Sequence, residues 1–284
     1  MFTRELLSGR TVLITGGGTG LGRAMALRMA EVGASVGVIG RREAPLRDTV
    51  EAIRAAGGRA GYACADVRVR ESLNDAVDRI EAELGPVSDL VNNAAGNFLC
   101  TSEDLSPNAF DAIMKIVLYG TFHATQELGR RWIARGARPG GYSLLAIVTT
   151  YAWMGSPFVL PSACAKAGVL TMTRSLATEW ACYGIRSNAI APGPFPTEGA
   201  FSRLAVPGAE ALKQQRVPVG RFGEAHELAD LAVYLTAAGF VNGECVTIDG
   251  GEWLEVGQEF GVLLDIPRDQ LRSAFADIRK KTTA

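Results

Sequence analysis

Net charge is almost missing from this sequence: 29 Lys and Arg stand against 30 Asp and Glu, leaving −1 over 284 residues. So balanced a chain has no overall positive field for nucleic acid or an anionic membrane. Neither is expected as a partner, and any anionic ligand must be met by local cations. Histidine is scarce as well. His123 and His226 are the only two; neither has companions at metal-ligand spacing, so no metal site is expected and both read as helix-surface or packing residues. The five cysteines, Cys64, Cys100, Cys164, Cys182 and Cys245, are odd in number and scattered, with no C-x-x-C pair, which fits a reducing compartment. The N-terminal MFTRELLSGR has no apolar h-region or cleavage site, and no apolar run approaches the roughly 18 residues of a membrane span. The expectation is a cytoplasmic protein.

What is present is a chain able to bury a sizeable core, 48% hydrophobic and 21% charged. Short β-branched runs, TVLIT at 11–15, SVGVI at 35–39, LVNNA at 90–94 and LLAIV at 144–148, each precede an amphipathic stretch. Helical periodicity is predicted over about 20–33, 43–56, 70–84, 107–135, 163–182 and 224–238. Strand then helix, repeated, implies parallel strands joined by right-handed crossovers. The first strands lack polar alternation, as expected of a sheet covered by helices on both faces. The predicted fold is therefore α/β, a doubly wound parallel sheet of Rossmann-like type. No linker interrupts the alternation, so residues 1–284 are read as a single domain. Two segments fall outside the pattern: a Pro-rich stretch at about 192–222, read as a substrate loop, and a C-terminal extension at about 252–284 ending in the basic run PRDQLRSAFADIRKK.

Between the first strand and first helix lies TGGGTGLG, Thr15 to Gly22. Glycines here let the backbone turn tightly and approach a pyrophosphate, while the helix N-terminus offers free N–H groups and a positive dipole. Gly16, Gly20 and Gly22 give G-x-x-x-G-x-G, on which the G-x-G-x-x-G fingerprint cannot be laid. The position of the cluster, more than the glycines themselves, points to a dinucleotide over a merely structural turn. An NAD-preferring site would carry an acid at the end of the second strand. Here the strand ends Val38-Ile39-Gly40 and Arg41 and Arg42 follow, two cations where a 2′-phosphate would sit. NADP(H) is the expected cofactor; the plainer reading is an exposed basic turn neutralised by Glu43.

TGGGTGLG, Asp66-Val67, NNAAG at 92–96, SACAKAG at 162–168 and NAIAPGP at 188–194 together resemble the short-chain dehydrogenase/reductases, in that family's order and over nearly the whole chain. The family normally has a Tyr four residues before its active-site Lys, the two sharing one helix face. Lys166 is present, but position 162 is Ser. An aliphatic hydroxyl is too weakly acidic to replace a lysine-tuned phenol, so ordinary ketoreductase chemistry does not follow. A phenol stands at Tyr151, just after Ile147-Val148-Thr149-Thr150, at the strand edge where such sheets bind ligands. By itself Tyr151 also reads as an aromatic loop plug beside Trp153 and Phe158.

NNAAGNF, Tyr151, FVLPSACAKAGV at 158–169, PGPFPTEGAFSRL at 192–204 and the tail from IDGGEWLEVGQEF to IRKK are similar to the NADPH-dependent 2,4-dienoyl-CoA reductases of the mitochondrial type. That resemblance implies a catalytic set of Tyr151, Asn97, Lys166 and Ser162. Tyr151 and Asn97 would hydrogen-bond the dienolate, Lys166 would hold the nicotinamide ribose, and Ser162 would position a water. It implies cofactor binding by Gly16, Thr19, Gly20, Leu21, Gly22, Arg41, Arg42, Asp66, Val67, Asn93, Ala94, Lys166, Pro192, Gly193 and Pro194. For Asn92 and Asn93, tying strands together is an equal reading. Arg68, Phe98, Ser106 and Arg203 match positions that contact acyl-CoA, whose phosphates suit a guanidinium; Lys213, Arg216 and Arg221 read as solvated charges. The implied activity is NADPH-dependent reduction of 2,4-dienoyl-CoA to 3-enoyl-CoA in unsaturated fatty acid breakdown, by a homotetramer. Reduction of a 2-enoyl or 3-oxoacyl thioester by the same cofactor and loop stays open, separable only by substrate profiling, and Ser162 keeps open a non-catalytic NADP-binding scaffold.

Overall fold

Strand β1 (Thr11–Thr15) is apolar at Val12, Leu13 and Ile14, and successive side chains enter different cores. Val12 and Ile14 join one hydrophobic cluster and Leu13 another. Because side chains alternate across a strand, a run with no polar member needs cover on both faces. In the computed structural model, which describes residues 2–197, 214–255, 267, 269 and 270, that cover is complete. On one face pack α1 (Gly20–Glu31), α2 (Glu43–Ala55) and α8 (Ala225–Ala237), through Met25, Met29, Leu46, Ile53, Leu228 and Val233. On the other lie α3 (Arg70–Leu84) and α5 (Gly120–Arg135), through Leu73, Ile80, Leu128 and Trp132. Trp132 is wholly buried, stacks on Tyr142 at 5.0 Å, and donates its indole N–H to Val87 O at 2.7 Å.

The remaining strands are β2 (Ser35–Gly40), β3 (Ala60–Cys64), β4 (Asp89–Asn92), β5 (Tyr142–Ile147), β6 (Ile185–Pro192) and β7 (Cys245–Ile248). Among the described residues these seven strands form one sheet in the order β3-β2-β1-β4-β5-β6-β7, with every neighbouring pair parallel. The chain runs outward from β1 to β3, then crosses back to β4 on the far side of β1. This reversal leaves a crevice at the carboxyl ends of β1 and β4, where doubly wound sheets hold ligands.

Three strands escaped the β-branched pattern. β3, AGYAC, has no β-branched residue and sits at the sheet edge. β6, IRSNAIAP, hides behind polar residues that are buried only because they are bonded: the Arg186 guanidinium donates to the carbonyls of Leu235, Thr236 and Val241. β7 is four residues long. The predicted helix over 107–135 is α4 (Pro107–Met114), a π-helical stretch at Lys115–Tyr119, and α5. The helix expected over 163–182 begins earlier, as α7 (Leu160–Glu179), preceded by the single-turn α6 (Tyr151–Met154). A last turn, α9, spans Glu252–Glu255. The expected substrate loop is described only at its two ends. Arg203 and Lys213 lie outside the described residues, as does most of the C-terminal extension.

Candidate active site

The crevice is a cleft of about 640 Å³ running from the first βα turn, past β4, to the start of α7. At one end β1 passes into Gly16, whose φ of +67° lies in the left-handed region open to glycine. Its N–H donates to Ile39 O at 2.7 Å, drawing the turn under β2. Gly22, in the first turn of α1, packs so closely that a Cβ there would stand 2.3 Å from Gly16 O and 2.5 Å from Asn93 Nδ2. The N-cap residue Thr19 makes no side-chain cap bond, so the leading N–H groups of α1 face the cleft for an anion to accept. Gly16, Thr19, Gly20, Leu21 and Gly22 all line this end.

Asn93 is a strap. Its amide donates to Thr15 O at 3.0 Å and Gly16 O at 3.2 Å, while its own N–H and that of Ala94 donate to Thr15 Oγ1. Both residues line the cleft as well, so the two readings of Asn93 coexist. Asn92 points away, donating to Thr125 Oγ1 at 2.9 Å.

Next to this turn, Arg41 and Arg42 end β2 exposed, and both line the cleft. Asp66 and Val67 form the adjoining wall. Arg68 is held by its neighbour: its Nε and Nη2 grip the Asp66 carboxylate at 2.9 and 2.5 Å, and this guanidinium keeps the Asp66 carboxyl below the usual range. Arg68 is not among the cleft-lining residues. Nor are Phe98, which packs on the cluster around Ile113 and Val117, and Ser106, which caps α4 by accepting the Ala109 N–H at 3.2 Å.

At the other end, Tyr151, Asn97, Ser162 and Lys166 come together from three segments. Tyr151 opens α6 directly after β5. Its hydroxyl lies 3.1 Å from Ser162 Oγ and accepts from Asn97 Nδ2 at 3.2 Å. Asn97 is oriented by the Phe98 N–H, which donates to its Oδ1 at 2.9 Å and so turns the amide NH₂ toward the phenol. Burial pushes the Tyr151 pKa up, so the phenol keeps its proton through the neutral range and can donate it. Ser162 is 2% exposed. One helical turn on, buried Lys166 donates from Nζ to Ile147 O, and burial draws its pKa down to about 8.

Pro192 and Gly193 close the floor; Pro194 is not part of the lining. Thr149, Ile116 and Asp249 are among the contributors that the expected set did not include. Thr149 and Ile116 line the catalytic end. Asp249 stands behind Gly193, where an added Cβ would lie 2.5 Å from Asp249 Cβ. Its carboxylate accepts the N–H groups of Gly251 and Trp253, and Trp253 meets Trp153 of α6 edge-on at 5.5 Å. Thr149 could have been found from its place two residues before Tyr151; Asp249 had no signal beyond its Gly-Gly turn. His123 ties α5 to the Val67 carbonyl at 3.0 Å, His226 is an exposed partner of Glu224, and Arg221 is paired with Glu227. Among the described residues, no helix is long and apolar enough to cross a membrane.

A family profile described as enoyl-(acyl carrier protein) reductase matches residues 16–252. A probable 2,4-dienoyl-CoA reductase of Caenorhabditis elegans, (3E)-enoyl-CoA-producing, is 44% identical over 253 residues, covering 87% of this chain and 80% of its own. A probable 2,4-dienoyl-CoA reductase of Bacillus subtilis, (2E)-enoyl-CoA-producing, is 42% identical over 249 residues, covering 86% and 97%. Among solved structures, a gluconate 5-dehydrogenase from Burkholderia cenocepacia, in complex with NADP and tartrate, matches with a TM-score of 0.81 at 32% identity, covering 88% of this chain and 97% of that one. The chain belongs to the short-chain dehydrogenase/reductase family. It is an oxidoreductase of the reductase type that uses a nicotinamide cofactor, and the turn from Gly16 to Gly22 with the helix N-terminus behind it, all lining the cleft, fits the pyrophosphate of such a group.

Proposed function

We propose that this protein reduces 2,4-dienoyl-CoA thioesters to 3-enoyl-CoA with NADPH. The observation that supports this most is that the Asn97 amide and Ser162 Oγ each lie within 3.2 Å of the Tyr151 hydroxyl, beside Lys166. The cofactor would lie along Gly16 to Gly22, with Arg41 and Arg42 at its 2′-phosphate, Asp66 and Val67 at its adenine, and Lys166, Pro192 and Gly193 at its nicotinamide ribose and ring. When bound it supplies the hydride that adds to the distal carbon of the diene. Tyr151 and Asn97 donate to the thioester oxygen as negative charge gathers there, each donor lowering the barrier by about 3 kcal/mol by analogy with oxyanion holes. Asn97 has a second amide hydrogen for this purpose, and Tyr151 can accept from Ser162 while its own proton turns to the substrate. Ser162 then holds the water that protonates the α-carbon, leaving the double bond at position 3. The ammonium of Lys166 adds positive potential to the same corner.

The test is NADPH oxidation across dienoyl-, 2-enoyl- and 3-oxoacyl-CoA esters. Turnover should be fastest with the dienoyl ester, with 3-enoyl-CoA as product. Preference for either other ester, or a 2-enoyl product from the dienoyl ester, would overturn the reading. We further propose a cytoplasmic homotetramer, a location supported by five free cysteines. Light scattering that shows a monomer, or organelle targeting in cells, would count against the respective part.

A further inference from the structure

The two cations at the end of β2 are followed at once by an acid, Glu43, the first residue of α2. A carboxylate so near would offset part of the positive potential on which a 2′-phosphate depends, because all three charges lie within one Debye length. The fold gives that carboxylate another partner. Glu43 Oε1 accepts the Tyr62 O–H at 2.9 Å. Tyr62 lies on β3 opposite Val38 of β2, its ring half-buried against the core beneath α1 and α2, so the hydroxyl is presented from a fixed strand. Among the described residues neither the Arg41 nor the Arg42 side chain makes a hydrogen bond or close ion pair, although the Arg41 charge helps hold the Asp66 carboxyl below its usual range. Arg47, the next cation along α2, faces Asp48 and Glu51 at 4.0 and 3.8 Å.

We propose that Tyr62 is a specificity-determining residue, which by engaging Glu43 leaves both guanidiniums available to a 2′-phosphate and so favours NADPH over NADH. This rests on the NADPH reading above. Tyr62 is not among the cleft-lining residues and is proposed to act through Glu43, which makes it a positioning residue.

Equilibrium binding to the full chain, by calorimetry with NADPH, NADH and the fragment pair 2′,5′-ADP and 5′-AMP, separates this role from ordinary packing. Tyr62→Phe keeps the ring and removes the hydroxyl. It should weaken NADPH and 2′,5′-ADP by about two- to fivefold, the scale of one exposed charge interaction, and leave NADH and 5′-AMP unchanged. Adding Glu43→Gln to Tyr62→Phe should restore the loss, since no carboxylate is left to swing back. A discriminating wild type with an unchanged Tyr62→Phe ratio would overturn the proposal alone, as would a loss that Glu43→Gln fails to restore. A wild type that binds NADPH and NADH equally would overturn the NADPH reading, and this proposal with it.

Discussion

Under β1 and β2 the atoms that face the cleft belong largely to backbone: the turn at Gly16, the close approach of Gly22, and the leading N–H groups of α1. Under β4 and β5 they belong to side chains, drawn from Asn97 after β4, Tyr151 after β5, and Ser162 and Lys166 on α7. A backbone site is fixed by local conformation and tolerates little added volume. A side-chain site depends on three segments meeting, and can be altered one oxygen at a time without disturbing the fold. On the function proposed above, the first kind sets what binds and the second what happens to it.

The hardest test of that contrast is Tyr151→Phe. The ring stays, so the protein should remain folded and bind NADPH as before, while kcat falls by about 100-fold or more, the scale of losing one oxyanion donor. Asn97→Ala should act in the same direction, and if the pair forms one oxyanion site the double variant should lose less than the product of the two. Ser162→Ala should be milder. Single-turnover kinetics would reverse the assignment if Ser162→Ala abolished reduction and Tyr151→Phe did not.

Lys166 offers a second way to separate the two ends, because the catalytic end carries a buried charge at a cost in stability. Its pKa, about 8 when folded against 10.5 when free, means the unfolded chain binds the extra proton between those values. Stability should therefore rise as pH goes from 8 toward 10.5, by roughly 3 kcal/mol at most. Lys166→Met should stabilise the cofactor-free protein by on the order of 2 kcal/mol below pH 8 and abolish turnover; the gain should vanish above 10.5. Denaturant melts across pH check this, and a loss of stability at pH 7 would contradict it.

The smallest expected effect lies at the backbone end. At Gly40 an added Cβ meets only the Leu46 side chain, at an ordinary 3.5 Å, so Gly40→Asp should fold. Its carboxylate beside Arg41 should narrow the preference for NADPH over NADH by about fivefold, the energy of one charge pair in water. Cofactor titrations that show no change would remove Gly40 and Arg41 from the specificity site.

Much of the backbone end was legible in advance because its cause is local. TGGGTGLG sits between a strand and a helix, and Arg41 and Arg42 follow a strand whose apolar run is continuous. The catalytic end was not legible in the same way. Asn97 and Tyr151 are 54 positions apart, and no periodicity relates them; the resemblance to a known family brought them together. Arg68 and Ser106 have local partners that the resemblance did not announce, the Asp66 carboxylate for one and the N-terminus of α4 for the other. β6 was missed because polar residues in a central strand look like loop until their partners are known, as with Arg186 and its three carbonyls.

The tryptophans give the molecule two separate optical readings. Trp132, wholly buried and stacked on Tyr142, should emit at short wavelength and be out of reach of a dissolved quencher such as acrylamide. Trp153, 39% exposed and paired with Trp253 beside the catalytic segment, should emit further to the red and be quenched readily. The fourth tryptophan, Trp180, packs half-buried against the same core as Trp132, so the readily quenched fraction reports mainly on α6, which opens with Tyr151, and the protected fraction on the core. A change at the site can be told from loss of the fold in one cuvette.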